Sequence, residues 1–229
     1  MSERAVENRV AASAATWWRA AIVVIGIAGL LSGSNSVEYF TIQTNLLVVA
    51  YYIVALVGSR GRTPWTPAPR LRGAMTSYII LTGLAYHFVL QGGSNPIPGL
   101  LAAAPGAAIE NWSLFLLHYV SPVIVLIDWV TWGPRRRVRW VDGLLWMLYP
   151  LGYAFVIIVR GIALPDVADR YPYPFLDPTV GGWSGVAIGI LQVTALLALV
   201  IAAVIGLDRI PVRIGNRDRR ASASDERLA

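Results

Sequence analysis

The chain has 229 residues, of which 56% are hydrophobic and 14% are charged, and its formal net charge is +6. A soluble globular domain carries roughly 25% charged residues, so this composition favours a membrane protein. The sequence has no cysteine, which excludes disulfides, thiolate metal sites, iron–sulfur clusters and cysteine nucleophiles.

Six apolar runs each approach the roughly 20 residues that a membrane-spanning helix needs. In chain order the predicted spans are residues 16–33, 38–58, 74–91, 112–132, 141–161 and 183–207. The first run could also be a cleaved signal peptide, but its apolar part is long and no clear cleavage site follows it. We therefore predict an all-α polytopic membrane protein, with one six-helix domain over residues 1–212 and a disordered cytoplasmic tail over residues 213–229.

The arginines predict how these spans are oriented. The sequence has no lysine, and nearly all of its 19 arginines fall on one side of the six-span arrangement, next to the apolar runs. The other side has only Arg160 and Arg170. Because positive loops stay in the cytoplasm, we expect both termini to be cytoplasmic. Arginines that flank apolar runs also argue against a nucleic-acid partner.

The two outer loops of this arrangement are rich in glycine and proline. Residues 92–111 and residues 162–182 together contain seven prolines: Pro96, Pro98, Pro105, Pro165, Pro172, Pro174 and Pro178. Proline lacks a backbone donor and disfavours helix interiors, so we expect both loops to be stiff and non-helical.

Polar side chains within the spans are concentrated in the outer half of the membrane. A helical rise of about 1.5 Å per residue places seven of them roughly 5–15 Å from the outer boundary, and Arg160 lies at the outer end of the fifth span. They are Thr41, Thr44, Asn45, His87, His118, Ser121, Arg160 and Gln192. An ionisable residue within a membrane is costly and usually functional, so this set predicts an outward-facing polar pocket. The inner half offers mainly Asp128, which we expect to pair with the arginines of residues 135–139.

A hydroxyl beside a histidine in a site of low dielectric constant indicates nucleophilic acyl transfer. The imidazole accepts the hydroxyl proton while the oxygen attacks a carbonyl, and Asn45, His87 or Arg160 could stabilise the oxyanion. No acidic residue lies at a matching depth, so the sequence supports a threonine–histidine dyad rather than a triad. A substrate that reaches this depth laterally would be a membrane lipid ester. The same hydroxyls also have structural roles in membrane helices, as bonds to a carbonyl four residues back or as interhelical contacts.

Three short segments resemble the androgen-induced membrane protein family. They are Tyr39–Ile42, then His118–Pro122 followed by Ile127 and Asp128, and finally Tyr173–Asp177. The resemblance covers the second to sixth spans and includes a bacterial branch with six predicted spans, which implies a multi-pass protein of the plasma membrane of a bacterial cell. It implies a threonine hydrolase of fatty acid esters of hydroxy fatty acids, with Thr41 as the nucleophile and His118 as the base.

Two departures from that family bear on the assignment. The spacing from His118 to Pro122 is one residue shorter than in the animal members. Thr44 is a competing hydroxyl, and its depth matches that of His118 better than the depth of Thr41 does.

Two other functions fit the same residues. His87 and His118 could be axial ligands of a haem or another metal, but the sequence offers no further ligand set, so we predict no cofactor and no metal. A non-catalytic lipid-binding or transport protein could use the polar start of the second span as a binding entrance. Against transport, no span carries an acidic residue at mid-depth that could couple to an ion. The sequence gives no indication of the oligomeric state.

Overall fold

A computed structural model of the chain describes residues 3–33, 36–59, 67–102, 104–133 and 136–210. Within these ranges the chain is helical and has no strand, and six of its helices are long and apolar enough to span a membrane. The all-α prediction with six candidate spans is therefore confirmed for the described residues. The predicted tail, residues 213–229, lies outside them.

We label the six long helices α1 to α6. Two of them contain a π-helical turn, in which hydrogen bonds join residues five apart. The helices are α1 (Glu3–Ser32), α2 (Phe40–Ser59), α3 (Pro69–Leu84, continued by the π turn Ala85–Leu90), α4 (Pro105–Phe115 and Ser121–Trp132, joined by the π turn Leu116–Val120), α5 (Trp140–Ala163) and α6 (Pro178–Arg209).

Three helices begin earlier than the apolar runs predict. Pro69, Pro105 and Pro178 each lie in the first turn of their helix, where the fixed φ of proline suits the backbone and its missing N–H is not needed. In α6, Gly182 has φ 65°, a conformation that glycine adopts readily, and it separates the first residues from the main helix. The expectation that residues 92–111 are non-helical is wrong, because a short helix, Ile97–Ala102, and the start of α4 lie there.

Helix α3 lies at the centre of the bundle. It packs against α2, α4, α5 and α6, and most of its residues are buried. Helix α1 packs against α2 and α4, while α5 packs mainly against α6. The start of α2 therefore lies beside α4 and close to the end of α3, and this arrangement brings the candidate site residues together.

Asp128 belongs to a buried ionic cluster that joins four helices. Its carboxylate lies 3.4 Å from Nε of Arg19 in α1, pairs with the Arg72 guanidinium in α3, and accepts a 2.6 Å hydrogen bond from the Tyr52 hydroxyl in α2. The expectation that Asp128 pairs with the arginines of residues 135–139 is wrong. Because the carboxylate is fully buried inside the bundle, it contacts arginines of the neighbouring helices and not those of the loop after α4.

Candidate active site

Thr41 and His118 form a hydrogen-bonded pair between α2 and α4. Thr41 Oγ1 lies 3.1 Å from His118 Nε2, and both residues are only 6% exposed. Thr41 lies in the first turn of α2, and His118 lies in the π turn of α4. The structure thus brings together the two residues to which the sequence assigns catalysis, while the catalytic role itself stays a prediction.

The second hydrogen bond of His118 determines which ring nitrogen carries the proton. His118 Nδ1 lies 2.9 Å from the Leu114 carbonyl oxygen. A carbonyl oxygen can only accept a hydrogen bond, so Nδ1 must carry the proton in this contact. Nε2 then has a free lone pair and accepts from the Thr41 hydroxyl. The Leu114 carbonyl thus fixes the tautomer and the orientation of the ring.

The π turns of α3 and α4 both lie at this site. Pro122 has no N–H, so it cannot continue the α-helical hydrogen bonding that would otherwise involve the His118 carbonyl. Gly83 packs closely against that same carbonyl, because a Cβ atom at position 83 would lie 2.6 Å from His118 O. π-helical turns within α-helices are rare and often occur at functional sites.

Tyr173 lies at the centre of the site, although the sequence analysis gave it no role of its own. Its hydroxyl oxygen lies 3.5 Å from Thr41 Oγ1 and 3.4 Å from the Thr41 backbone nitrogen. Tyr173 is 8% exposed, and burial raises the pKa of its hydroxyl. Its only sequence signal is membership of the Tyr173–Asp177 segment, since Tyr173 lies in a loop 132 residues beyond Thr41.

Two cavities meet at the dyad, one on each side of it. A cavity of about 70 Å³ has a mainly apolar wall that α3, α5 and α6 provide, and it includes Leu81, Leu151, Val193 and Leu197. A larger and more polar cavity of about 290 Å³ has a wall that includes Ser36, Tyr39, Glu110, Ser113 and Asp169. Both cavities are lined by Thr41, Tyr86, Leu90, His118 and Tyr173. The dyad therefore lies at a boundary between an apolar and a polar environment.

Thr44, Asn45 and Ser121 are buried near the dyad but line neither cavity. The Thr44 and Ser121 hydroxyls have no hydrogen-bond partner in the part of the chain that the structure describes. The Asn45 side-chain amide donates to the Thr41 carbonyl at 2.9 Å and to the Leu117 carbonyl at 3.5 Å. Asn45 thus fixes the first turn of α2 against α4. Thr41, and not Thr44, contacts His118.

His87, Arg160 and Gln192 lie away from the dyad. His87 Nδ1 lies 3.1 Å from the Tyr119 hydroxyl, and Gln192 is exposed on α6. Arg160 pairs with Glu38 at 3.5 Å and donates to three consecutive carbonyls of the loop after α5. Helical rise predicts the depth of a residue but not the direction in which its side chain points. These three side chains therefore point away from the dyad although they were predicted on the same outer side of the bundle.

The histidine arrangement gives no support to a pair of axial metal ligands. Both ring nitrogens of His118 have protein partners, and His87 lines neither cavity at the dyad. Across residues 3–210, apart from the segments that are not described, no group of three or more His, Cys, Asp or Glu side chains could hold a metal ion.

Comparison of the chain with family models, with curated proteins and with solved structures finds no match. The resemblance of the segments around Thr41, His118 and Tyr173 to the androgen-induced membrane protein family therefore stays a prediction.

Proposed function

We propose that this protein is an integral membrane protein of a bacterial plasma membrane, with six spans and both termini in the cytoplasm. Six helices of suitable length and hydropathy support the spans, and the distribution of arginine supports the orientation. In this orientation Thr41, at the start of α2, lies in the outer half of the membrane.

We further propose that the protein hydrolyses a lipid ester at the Thr41–His118 dyad. The observation that carries this proposal is the 3.1 Å contact between Thr41 Oγ1 and the unprotonated Nε2 of His118. A nucleophile within hydrogen-bond reach of a base, with the base held by a third group, is the arrangement that covalent catalysis requires.

The first half of the reaction forms an acyl-enzyme. Thr41 Oγ1 attacks the ester carbonyl carbon while its proton passes to His118 Nε2, and the carbonyl oxygen becomes an oxyanion. The tetrahedral intermediate then collapses, the carbon–oxygen bond to the alcohol breaks, and His118 returns the proton to the departing alkoxide. The products of this half are a free alcohol and an acyl ester on Thr41.

The second half releases the acid. A water molecule from the polar cavity attacks the acyl carbonyl while His118 accepts one of its protons, and collapse then returns that proton to Thr41. The fatty acid leaves and the dyad is restored.

The two cavities suggest how a lipid ester lies in the site. The apolar cavity between α3, α5 and α6 suits the few methylene groups of a hydrocarbon chain next to the ester, while the polar cavity suits the other end of the ester and the water for hydrolysis. The family resemblance implies fatty acid esters of hydroxy fatty acids as the substrate class. The partner is thus a membrane lipid, and no nucleic acid takes part.

The direct test is covalent labelling of the purified protein by a fluorophosphonate probe, together with hydrolysis of a long-chain ester in detergent. Wild-type protein is expected to be labelled and active, whereas Thr41→Ala and His118→Ala lose both properties. Thr44→Ala is the matched control, and it is expected to keep labelling because its hydroxyl does not contact His118. Labelling and hydrolysis that persist in both Thr41→Ala and His118→Ala would refute the proposal.

A non-catalytic lipid-binding or transport role is the second candidate, and the apolar cavity itself favours it. In that case a lipid that co-purifies with the protein would stay chemically intact during long incubation. Release of a free acid that depends on Thr41 would exclude this alternative.

A further inference from the structure

The reaction proposed above needs a donor for the oxyanion. When Thr41 Oγ1 attacks an ester, negative charge develops on the carbonyl oxygen, and a preorganised hydrogen-bond donor at that position is usually a large part of catalysis. The candidates from sequence were Asn45, His87 and Arg160. In the structure the Asn45 amide donates to backbone carbonyls. The His87 ring contacts the Tyr119 hydroxyl, and the Arg160 guanidinium donates to carbonyls of the outer loop.

Tyr173 lies where such a donor is needed. Its hydroxyl is within 3.5 Å of both the nucleophilic oxygen and the backbone nitrogen of Thr41. After attack, Oγ1 and the oxyanion are bonded to the same tetrahedral carbon, so they lie closer together than two hydrogen-bonded atoms do. A hydroxyl that already contacts Oγ1 is therefore within reach of the oxyanion.

We propose that the Tyr173 hydroxyl donates the hydrogen bond that stabilises the oxyanion formed when Thr41 attacks the substrate, an inference that rests on the proposed hydrolase function. The donor comes from the loop between α5 and α6 and completes a site whose other parts come from α2 and α4. Tyr173 lines both cavities, so a carbonyl at their junction lies beside it. Tyr173 is thus a third catalytic residue.

The surroundings of Tyr173 suit this task because they hold the ring in place. The ring stacks on Phe175, with centroids 5.2 Å apart and planes 9° apart, and the edge-to-face contact with Tyr39 has a centroid distance of 5.8 Å. A donor that is fixed before the reaction loses little conformational freedom in the transition state. Burial raises the pKa of this hydroxyl, so it keeps its proton at neutral pH and stays a donor.

The test is the Tyr173→Phe variant, which removes the hydroxyl and keeps the ring. Because the hydrogen bond forms in the transition state, we expect kcat for a long-chain ester to fall roughly 100-fold. KM, and the affinity for an ether analogue that cannot be hydrolysed, should stay near the wild-type values. Tyr171→Phe is the matched control, since it removes a buried hydroxyl from the same loop that has no partner among the described residues.

The outcomes separate this inference from the proposed function. Loss of kcat in Tyr173→Phe, with normal ether binding and normal Tyr171→Phe activity, supports the inference. If Thr41→Ala abolishes hydrolysis but Tyr173→Phe keeps a wild-type kcat, the dyad stands and Tyr173 is not the donor. An equal loss of ether binding and activity in Tyr173→Phe indicates a packing role and also overturns the inference. If the wild-type protein has no activity that depends on Thr41, both proposals fall together.

Discussion

The Tyr86 ring stacks on the His118 imidazole, with ring centroids 3.9 Å apart and planes 27° apart. The two residues come from the two π turns, and their contact joins the end of α3 to the middle of α4. The His118 ring is therefore fixed in two ways, by the Leu114 carbonyl at Nδ1 and by Tyr86 on its face. Together these contacts direct Nε2 at Thr41.

Replacement of Tyr86 by leucine should weaken catalysis without removing any group that reacts. Aromatic stacking contributes about 1 kcal/mol beyond its buried area, which corresponds to roughly a fivefold effect on a rate. We therefore expect kcat of Tyr86→Leu to fall about fivefold when it is measured with a long-chain ester. Tyr86→Phe keeps the stack and should retain wild-type activity, so an equal loss in both variants would contradict this explanation.

Gly83→Ala should displace His118 through its backbone. The added Cβ would lie 2.6 Å from the His118 carbonyl oxygen, a backbone atom that cannot rotate away. A shift of about 1 Å at a catalytic group can cost roughly 100-fold in rate, and we expect a loss of that order in kcat. Gly206→Ala is the control, because its Cβ would meet no atom within 4 Å. If Gly83→Ala keeps full activity, the close contact at this carbonyl is not needed for the site.

Asp128→Asn should destabilise the folded protein strongly. The substitution removes the carboxylate charge that the buried Arg19 and Arg72 side chains contact. Loss of one partner from a buried ion pair typically costs about 3–5 kcal/mol. The free energy of unfolding in detergent micelles measures this cost, and Asp166→Asn, at an exposed loop position, serves as control. Equal stability of both variants would show that the cluster contributes little.

The orientation in the membrane can be tested by chemical labelling, since the chain has no cysteine of its own. With both termini cytoplasmic, a single cysteine in Asn95→Cys should react with a membrane-impermeant maleimide on intact cells. Arg137→Cys should react only after the membrane is permeabilised. The cysteine-free parent provides the background. The opposite pattern would place the Thr41–His118 site on the cytoplasmic side.

Residue type and approximate depth predicted which part of the bundle holds the candidate site, because hydroxyl and imidazole groups are unusual among apolar residues. Depth alone favoured Thr44 as the partner of His118, and Thr41 was chosen from the resemblance of residues 39–42. The structure brings Thr41, not Thr44, within hydrogen-bond distance of His118. The six helices were predictable for a related reason, since apolar runs of spanning length carry a strong signal.

The remaining features depend on contacts between segments that are distant in the chain. Tyr173 contacts Thr41 only because its loop packs against the start of α2. The spacing of apolar residues along the sequence does not predict such a contact between a loop and a distant helix. The π turn at His118 changes the direction of that side chain relative to a regular α-helix, so face assignments from α-helical spacing fail there. Asp128 was paired with the wrong arginines because a sequence shows which charges are near along the chain, not which helices are adjacent.

The ionic cluster has a consequence for biosynthesis. In chain order, Arg19 and Arg72 belong to α1 and α3, while the carboxylate that they contact comes only with α4. Arg19 and Arg72 lie near the cytoplasmic ends of their proposed spans, where an arginine can extend to the lipid headgroups. We therefore expect the buried cluster to form only when α4 packs against α1 and α3, so that the last contacts of these two arginines are made after four helices have been synthesised.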